Sequence, residues 1–391
     1  MNTYFRLPKT IFRIIFFIFL ILANHSYASY SRVTSDTVPP SSSFPLQVEL
    51  KVLHAPIPFP SNGKNHLMYE LYVTNYENQT ITLDHLTVQE NTKQKPVLKT
   101  FSGLDLNKMS KQAGKSMFMG THAIPIKLAP SNTLLLFIEL DYIPSQLKSR
   151  ELIHTLFFAD GRKVIGVPMK IKEKTLKVLA PPVSGSHWIA ADAPGNPNYN
   201  HHWRGVFVIN GQLQDSRRFA IDWKQLKEGK SYKGDKNIAS SYYAYGKSVL
   251  AVANAKVVLV QKGYPDNPPG HNENFHPTIP ITFDNAGGNT IVLDLGNGQY
   301  AHYYHLKPNS INVKVGQQVK KGQIIGRIGA SGDAREPHLH FSVTTEIPLL
   351  YGEGIPYVID NYRSSENKEH TSQIHKNELP IYRMLIDFSN K

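Results

Sequence analysis

The sequence predicts an all-β chain, on three observations. Between Leu46 and Thr175, six short runs rich in β-branched and aromatic residues are separated by turns such as "PSNGKN" and "ADGRK". From Ser184 to Tyr362 strand signals resume with few helical stretches, and Asn210-Gly211 sits between two strand-like runs, the strongest short-range hairpin signal. "VKVGQQVKKGQIIGRIGASG" adds glycines spaced for tight turns.

The first 28 residues stand outside that fold. Arg6, Lys9 and Arg13 precede the apolar run "IIFFIFLILA", and "SYA" then places small residues for cleavage after Ala28. This is the layout of a secretory signal peptide. The run is too short for the roughly 20 residues of a spanning helix, so no transmembrane span is expected after cleavage. The mature chain is expected in the periplasm or outside the cell. Ser- and Pro-rich residues 29–45 read as a linker.

Composition narrows the partners. Lys plus Arg number 43 against 30 Asp plus Glu, a formal charge of +13. Such an excess favours anionic surroundings, namely nucleic acid, anionic lipid or an acidic cell-wall polymer. No helical basic run with interleaved aromatics is present, so no nucleic-acid partner is expected. The chain has no cysteine, which leaves His, Asp and Glu as its strong metal ligands.

Residues 46–175 carry the runs "LQVELKVLH", "HLMYELYVTNY", "QTITLDHLTVQE", "TLLLFIELDYI", "LIHTLFFAD" and "KVIGVPMKIKEK". Six strands at such spacing predict an immunoglobulin-like β-sandwich, an accessory domain without a chemical constellation of its own. "VLAPPVSGSHW" marks the boundary, and residues 184–362 form a second, compact β-domain. Residues 363–391 are a C-terminal extension with no predicted element. The Pro- and Asn-rich loop "YPDNPPGHNENFHP", residues 264–277, is of a kind that often lines clefts, with His271 and His276 within it.

Four polar groups in the second domain invite chemistry. Asp222 lies in "FAIDW" between Ile221 and Trp223, where a carboxylate is costly to bury without a partner. His305 ends the run "AHYYHL". His338 and His340 share one face of a strand, because side chains alternate and Leu339 points the other way. Each has a plain alternative: a turn or salt-bridge aspartate, a core histidine, and a chance pair. Seventeen histidines in 391 residues should yield roughly one H-x-H by accident.

Their succession decides between the readings. "YYAYGKSVLAVANAKVV", "GGNTIVLDLGNGQYAHYYHLKP", "VKVGQQVKKGQIIGRIGASG" and "EPHLHF" follow one another in an order that resembles the lysostaphin/LytM-type zinc metallopeptidases, over roughly residues 200 to 360. The resemblance implies an exported endopeptidase that hydrolyses peptide cross-links of bacterial peptidoglycan. It makes Asp222 and His340 ligands of Zn2+ and His338 the general base toward a zinc-activated water. It also makes His305 a second active-site histidine that assists at the developing oxyanion.

One position departs from the family pattern. The usual first ligand is a histidine four residues before the aspartate, and that place is Arg218, which has no lone pair to offer. If the Asn210-Gly211 turn pairs 209 with 212, residue 203 faces 218 and His201 falls on the face of Asp222. A shift of one residue brings His202 there instead. Spacing leaves both open. His202 is taken as the third ligand because "H-x-R … N-G … RFAIDW" resembles a branch of the family with the same arginine, and His201 is held in reserve. Two other readings compete: a catalytically degenerate relative that binds cell wall or activates amidases as a cell-envelope partner, favoured by Arg218, and a carrier module, suggested by lipoyl-like hairpins around Lys320 and Lys321. Those lysines lack the neighbours of a modified lysine, so the hairpins are read as shared β-geometry.

Overall fold

In the computed structural model, which describes residues 45–113, 124–196, 200–365 and 372–389, side-chain alternation organises the first part of the chain. Leu67, Tyr69, Leu71 and Val73 of the strand Lys64–Asn75 point to one side, as do Leu134, Leu136, Ile138 and Leu140 of Thr133–Tyr142. The two strands pair antiparallel with Glu70 opposite Phe137, and Val48–Val52 extends their sheet. A second sheet built on Ile81–Glu90 and Glu151–Phe158 closes the core with Leu83, Leu86, Val88, Leu152 and Leu156. Each of the six expected runs contains a strand, and the mostly exposed Val97–Ser102 is a further one.

The other face of the first sheet is covered as well. Met68, Leu135 and Phe137 belong with Trp188, Trp203 and Phe219 to a second core. Both faces being buried is the reason "TLLLFIEL" shows no polar alternation. Glu70 shares this covered face with Met68 and is itself buried.

That second core lies under an eleven-stranded sheet. Its middle runs in the order Trp188–Ala191, Ile221–Gln225, Leu339–Thr344, Tyr300–Leu306 and Asn289–Asp294, each pair antiparallel. Ile221, Trp223, Leu339, Phe341 and Tyr303 enter the core. By alternation, Asp222, His340 and Tyr304, which lie opposite one another across the register, emerge on the other face.

Two expectations need correction. The expected break between 362 and 363 falls inside the strand Val358–Ser365, and Leu385–Asp387 pairs with both that strand and Trp188–Ala191. The unassigned tail therefore completes the sheet, its Ile386 and Phe388 joining the core. The hairpin does turn at Asn210-Gly211, with Ile209 opposite Gln212, but its ladder ends at Phe207 and Gln214. It never reaches 203 or 218, so the register argument for the third ligand has no strand to act on. Residues 1–44, with the expected signal peptide and all but the last residue of the expected linker 29–45, lie outside the described residues. No helix among the described residues is long and apolar enough to cross a membrane.

One buried histidine in the first core carries a stability prediction. His154 accepts the Tyr69 hydroxyl at 2.8 Å, and burial lowers its pKa to about 4. The unfolded chain therefore binds more protons than the folded one between about pH 6.5 and pH 4, so stability falls as pH drops through that window. The loss is on the order of 3 kcal/mol once the pH is below both values. Urea midpoints measured from pH 7 to 4 should decline, and His154→Gln should flatten the decline. An identical slope in that variant would remove His154 as its source.

Candidate metal centre

Asp222 is the hub. It sits on Ile221–Gln225 directly opposite His340 of Leu339–Thr344, so two neighbouring strands hold their separation. Asp222 Oδ1 lies 3.1 Å from His340 Nδ1 and 3.3 Å from His202 Nε2, and those two nitrogens are 3.1 Å apart. Asp222 Oδ2 faces His338 Nε2 at 3.4 Å. All four residues are buried.

His202 reaches this hub from a turn. Asn200 Oδ1 accepts the backbone N–H groups of His202 and Trp203, and Asn200 Nδ2 donates to the Ala193 carbonyl. The ring is fixed by Nδ1–H donating to the Asp192 carbonyl at 3.0 Å. A carbonyl only accepts, so Nδ1 carries a proton and Nε2 is the nitrogen turned to Asp222. His201 lies beside it: a ring nitrogen falls within 4.8 Å of donor atoms of His202 and Asp222. Its ring faces the other carboxylate, with Nδ1 3.6 Å from Asp192 Oδ1, and its side chain is 37% exposed against 1% for His202.

The donor set suits a small cation. Three ligands about 2.0–2.1 Å from a tetrahedral zinc stand about 3.3 Å from one another, and the three edges here are 3.1, 3.1 and 3.3 Å. With His202 Nδ1–H engaged by the Asp192 carbonyl, Nε2 is the nitrogen turned to Asp222 Oδ1 and His340 Nδ1. Such a cluster of ligand atoms is matched better by a metal ion than by its own hydrogen bonds. His340 Nε2 is buried without a partner, and Tyr304 stacks on that ring at 5.0 Å and 6°.

Two more histidines adjoin the triangle. His338 Nδ1–H donates to the Glu336 carbonyl at 2.7 Å, which turns Nε2 to Asp222 Oδ2. His305 Nδ1–H donates to the Ser331 carbonyl at 2.8 Å, and the His305 and His338 rings lie 4.8 Å apart. His305 is itself left-handed, φ 64°, an uncommon backbone state for a residue other than glycine that concentrates at functional sites. Gly288, φ 61°, lets its loop press against Ser331; a Cβ there would collide with backbone.

Electrostatics separates the roles. Burial alone would raise the pKa of Asp222, but His338 and His202 outweigh it and hold it well below the usual carboxylate range. His338 is opposed by burial and carried above 6.5 by the Asp222 carboxylate. Burial, with His338 and His340 beside it, holds His305 well below that value, so His305 is neutral.

The structure thus brings His202, Asp222, His305, His338 and His340 to one place, with His201 at its margin. His271 and His276 are exposed on their loop, which is pinned to the turn before His338 by Asn267 Nδ2 donating to Gly332 O and by Gly270 N donating to Arg335 O. Sequence reasoning missed Tyr304, although a period of two from His302 was its signal. It also missed the Asp192 carbonyl, which no side-chain pattern announces. Arg218 is buried away from the donor triangle, in ion pairs with Glu70 and Glu353, each at 2.8 Å.

Residues 239–349 match the model described as Peptidase family M23. That span includes His305, His338 and His340 but neither Asp222 nor the His201-His202 pair. The chain is 48% identical over 91 residues to glycyl-glycine endopeptidase ALE-1 of Staphylococcus capitis, covering 21% of this chain and 25% of that protein. It is 50% identical over 57 residues to lysostaphin of Staphylococcus simulans, 14% and 11%. Against peptidoglycan DD-endopeptidase ShyB of Vibrio cholerae it is 34% identical over 98 residues, 25% and 18%. The chain therefore spans a quarter or less of the length of these curated relatives. Among solved structures, the catalytic domain of lysostaphin from S. simulans aligns with 26% identity and a TM-score of 0.20, over 35% of this chain and 71% of that one.

Proposed function

We propose that this chain, whose residues 239–349 match Peptidase family M23 and which is similar in part to glycyl-glycine endopeptidase ALE-1 and lysostaphin, is an exported, zinc-dependent endopeptidase that hydrolyses peptide cross-links of bacterial peptidoglycan. The observation that carries the zinc assignment is the donor triangle of His202 Nε2, Asp222 Oδ1 and His340 Nδ1, whose edges match tetrahedral ligation. The β-domain from Ser184 onward, with the tail strand Leu385–Asp387 in its sheet, holds this site, and residues 46–175 form the accessory part.

Zinc bound there supplies Lewis acidity, which brings the pKa of water near 7. The residues of the chain manage the protons. His338 Nδ1–H is engaged by the Glu336 carbonyl, so Nε2, which faces Asp222 Oδ2 at 3.4 Å, is the nitrogen that takes up and releases a proton. His305 is neutral with Nδ1–H engaged by Ser331, so its Nε2 is an acceptor. It can donate to a developing oxyanion only after gaining a proton at Nε2, and the adjacent His338 ring is the nearest histidine from which that proton can come. The two histidines then act as a pair, the first accepting and the second donating.

The degenerate reading rested on Arg218, and the ion pairs of Arg218 give that residue a use that leaves the donor triangle complete. The deciding experiment separates the two adjacent histidines. After dialysis, His202→Ala should retain no zinc, whereas His201→Ala should retain about the wild-type content. The reverse result transfers the ligand role to His201. A wild-type chain that never holds zinc sinks the proposal and leaves a partner-binding domain.

A further inference from the structure

Resting on that reading, we propose that Glu70 of the accessory part is a positioning residue for the metal centre, holding from outside both segments that carry its ligands on the Asp222 side. Glu70 lies on Lys64–Asn75, more than a hundred residues before the nearest ligand in sequence. Its Oε1 accepts Trp203 Nε1 at 2.5 Å and Arg218 Nε at 2.9 Å, and its Oε2 accepts Arg218 Nη2 at 2.8 Å. Trp203 directly follows His202, and Arg218 stands four residues before Asp222. One carboxylate therefore ties the turn bearing His202 to the chain entering the strand of Asp222.

The surroundings make the tie stiff. Glu70, Trp203 and Arg218 are all nine-tenths or more buried. Trp203 packs edge-on against Phe137, the cross-strand neighbour of Glu70, with centroids 5.5 Å apart. The remaining guanidinium nitrogen, Arg218 Nη1, donates to Glu353 Oε2 at 2.8 Å. A planar fork bound at both ends fixes orientation as well as distance. The turn at His202 needs such support, since no strand ladder reaches it. Where the family pattern has a histidine ligand, this chain has an arginine that holds two other ligands in position through the neighbouring part.

The test uses the full-length chain, with zinc itself as the probe. Groups that orient metal ligands typically change affinity roughly 10–100-fold when altered, and Glu70→Gln, which keeps the shape and removes the charge, should weaken zinc binding by about that factor. The visible spectrum of the Co2+-substituted protein should change with it. Met68→Ala is the control: Met68 lies two residues away on the same covered face and touches the same core. It should lower the Tm and leave both zinc Kd and Co2+ spectrum unchanged. Should Glu70→Gln fail to fold, Trp203→Phe, which removes one N–H from Glu70, should still loosen zinc several-fold. Wild-type affinity in folded Glu70→Gln, or in Trp203→Phe where that variant carries the test, overturns the positioning role while leaving the peptidase reading intact. Equal loosening by Met68→Ala overturns it too, by making the effect one of general stability. A wild type without zinc takes away the premise of both.

Discussion

Asp222→Ala should take the purified chain from about one bound zinc to none that survives dialysis, and cleavage of cell-wall peptides should fall to the metal-free level. No other single residue touches so much of the centre. Oδ1 is 3.3 Å from His202 and 3.1 Å from His340, and Oδ2 is 3.4 Å from His338. The carboxylate is also the one anion among these donors, held ionised by the histidines against the cost of burial. Removing it leaves neutral imidazoles facing a dication with no compensating charge. Asp222→Asn separates the two contributions, because it keeps the shape and an oxygen donor while losing the charge. It should bind zinc more weakly than wild type and more tightly than Asp222→Ala. Elemental analysis after dialysis reads all three, and stoichiometric zinc in Asp222→Ala would show that the ligand set is drawn from elsewhere. His340→Ala should lose the metal likewise; Tyr304, stacked on the His340 ring, is held by its hydroxyl 3.0 Å from His302 Nδ1.

How far this could be seen in the sequence depended on which rule placed each group. Asp222, His338 and His340 were legible because strands alternate: "FAIDW" turns one polar side chain, and "PHLHF" two, away from apolar neighbours. Pairing of Asp222 with His340 then follows from strand adjacency. The His201-His202 choice was not legible, since counting back from the Asn210-Gly211 turn assumed a ladder that ends at Phe207. Asn200 and the Asp192 carbonyl set that ring instead. Arg218 posed a similar difficulty. Its lack of a lone pair was evident, but its partner Glu70 is 148 residues distant, and no local rule links them. A signal did exist: "HLMYELYV" and "TLLLFIEL" are apolar on both faces, which implies a second layer, and a glutamate inside such a run implies a buried cationic partner. The tail after Arg363 carried no clear strand signal because Ser372–Glu378 is mostly polar and Leu385–Asp387 is only three residues long, and they are strands because Trp188–Ala191 and Val358–Ser365 pair with them.

His338→Ala should do the opposite of Asp222→Ala: zinc content stays at about one per chain while turnover drops roughly 10²–10⁴-fold, the usual worth of a positioned general base. The geometry separates this histidine from the ligands. Its Nε2 meets Asp222 through Oδ2, whereas the three donor atoms gather on the Oδ1 side. Its ring cannot swing into the triangle without breaking the 2.7 Å bond from Nδ1–H to the Glu336 carbonyl, and Glu336 is in turn fixed by Lys224 at 2.8 Å and Ser231 at 3.0 Å. The loss should fall on kcat, because the removed group handles a proton in the chemical step and does not hold the substrate in the ground state. Peptide-cleavage kinetics together with metal analysis on one preparation check both halves. Loss of zinc would make His338 a ligand. Retained zinc with undiminished kcat would move the base to His305, the neighbouring imidazole whose Nε2 presents a lone pair. In that case His305→Ala, and not His338→Ala, would carry the thousandfold effect.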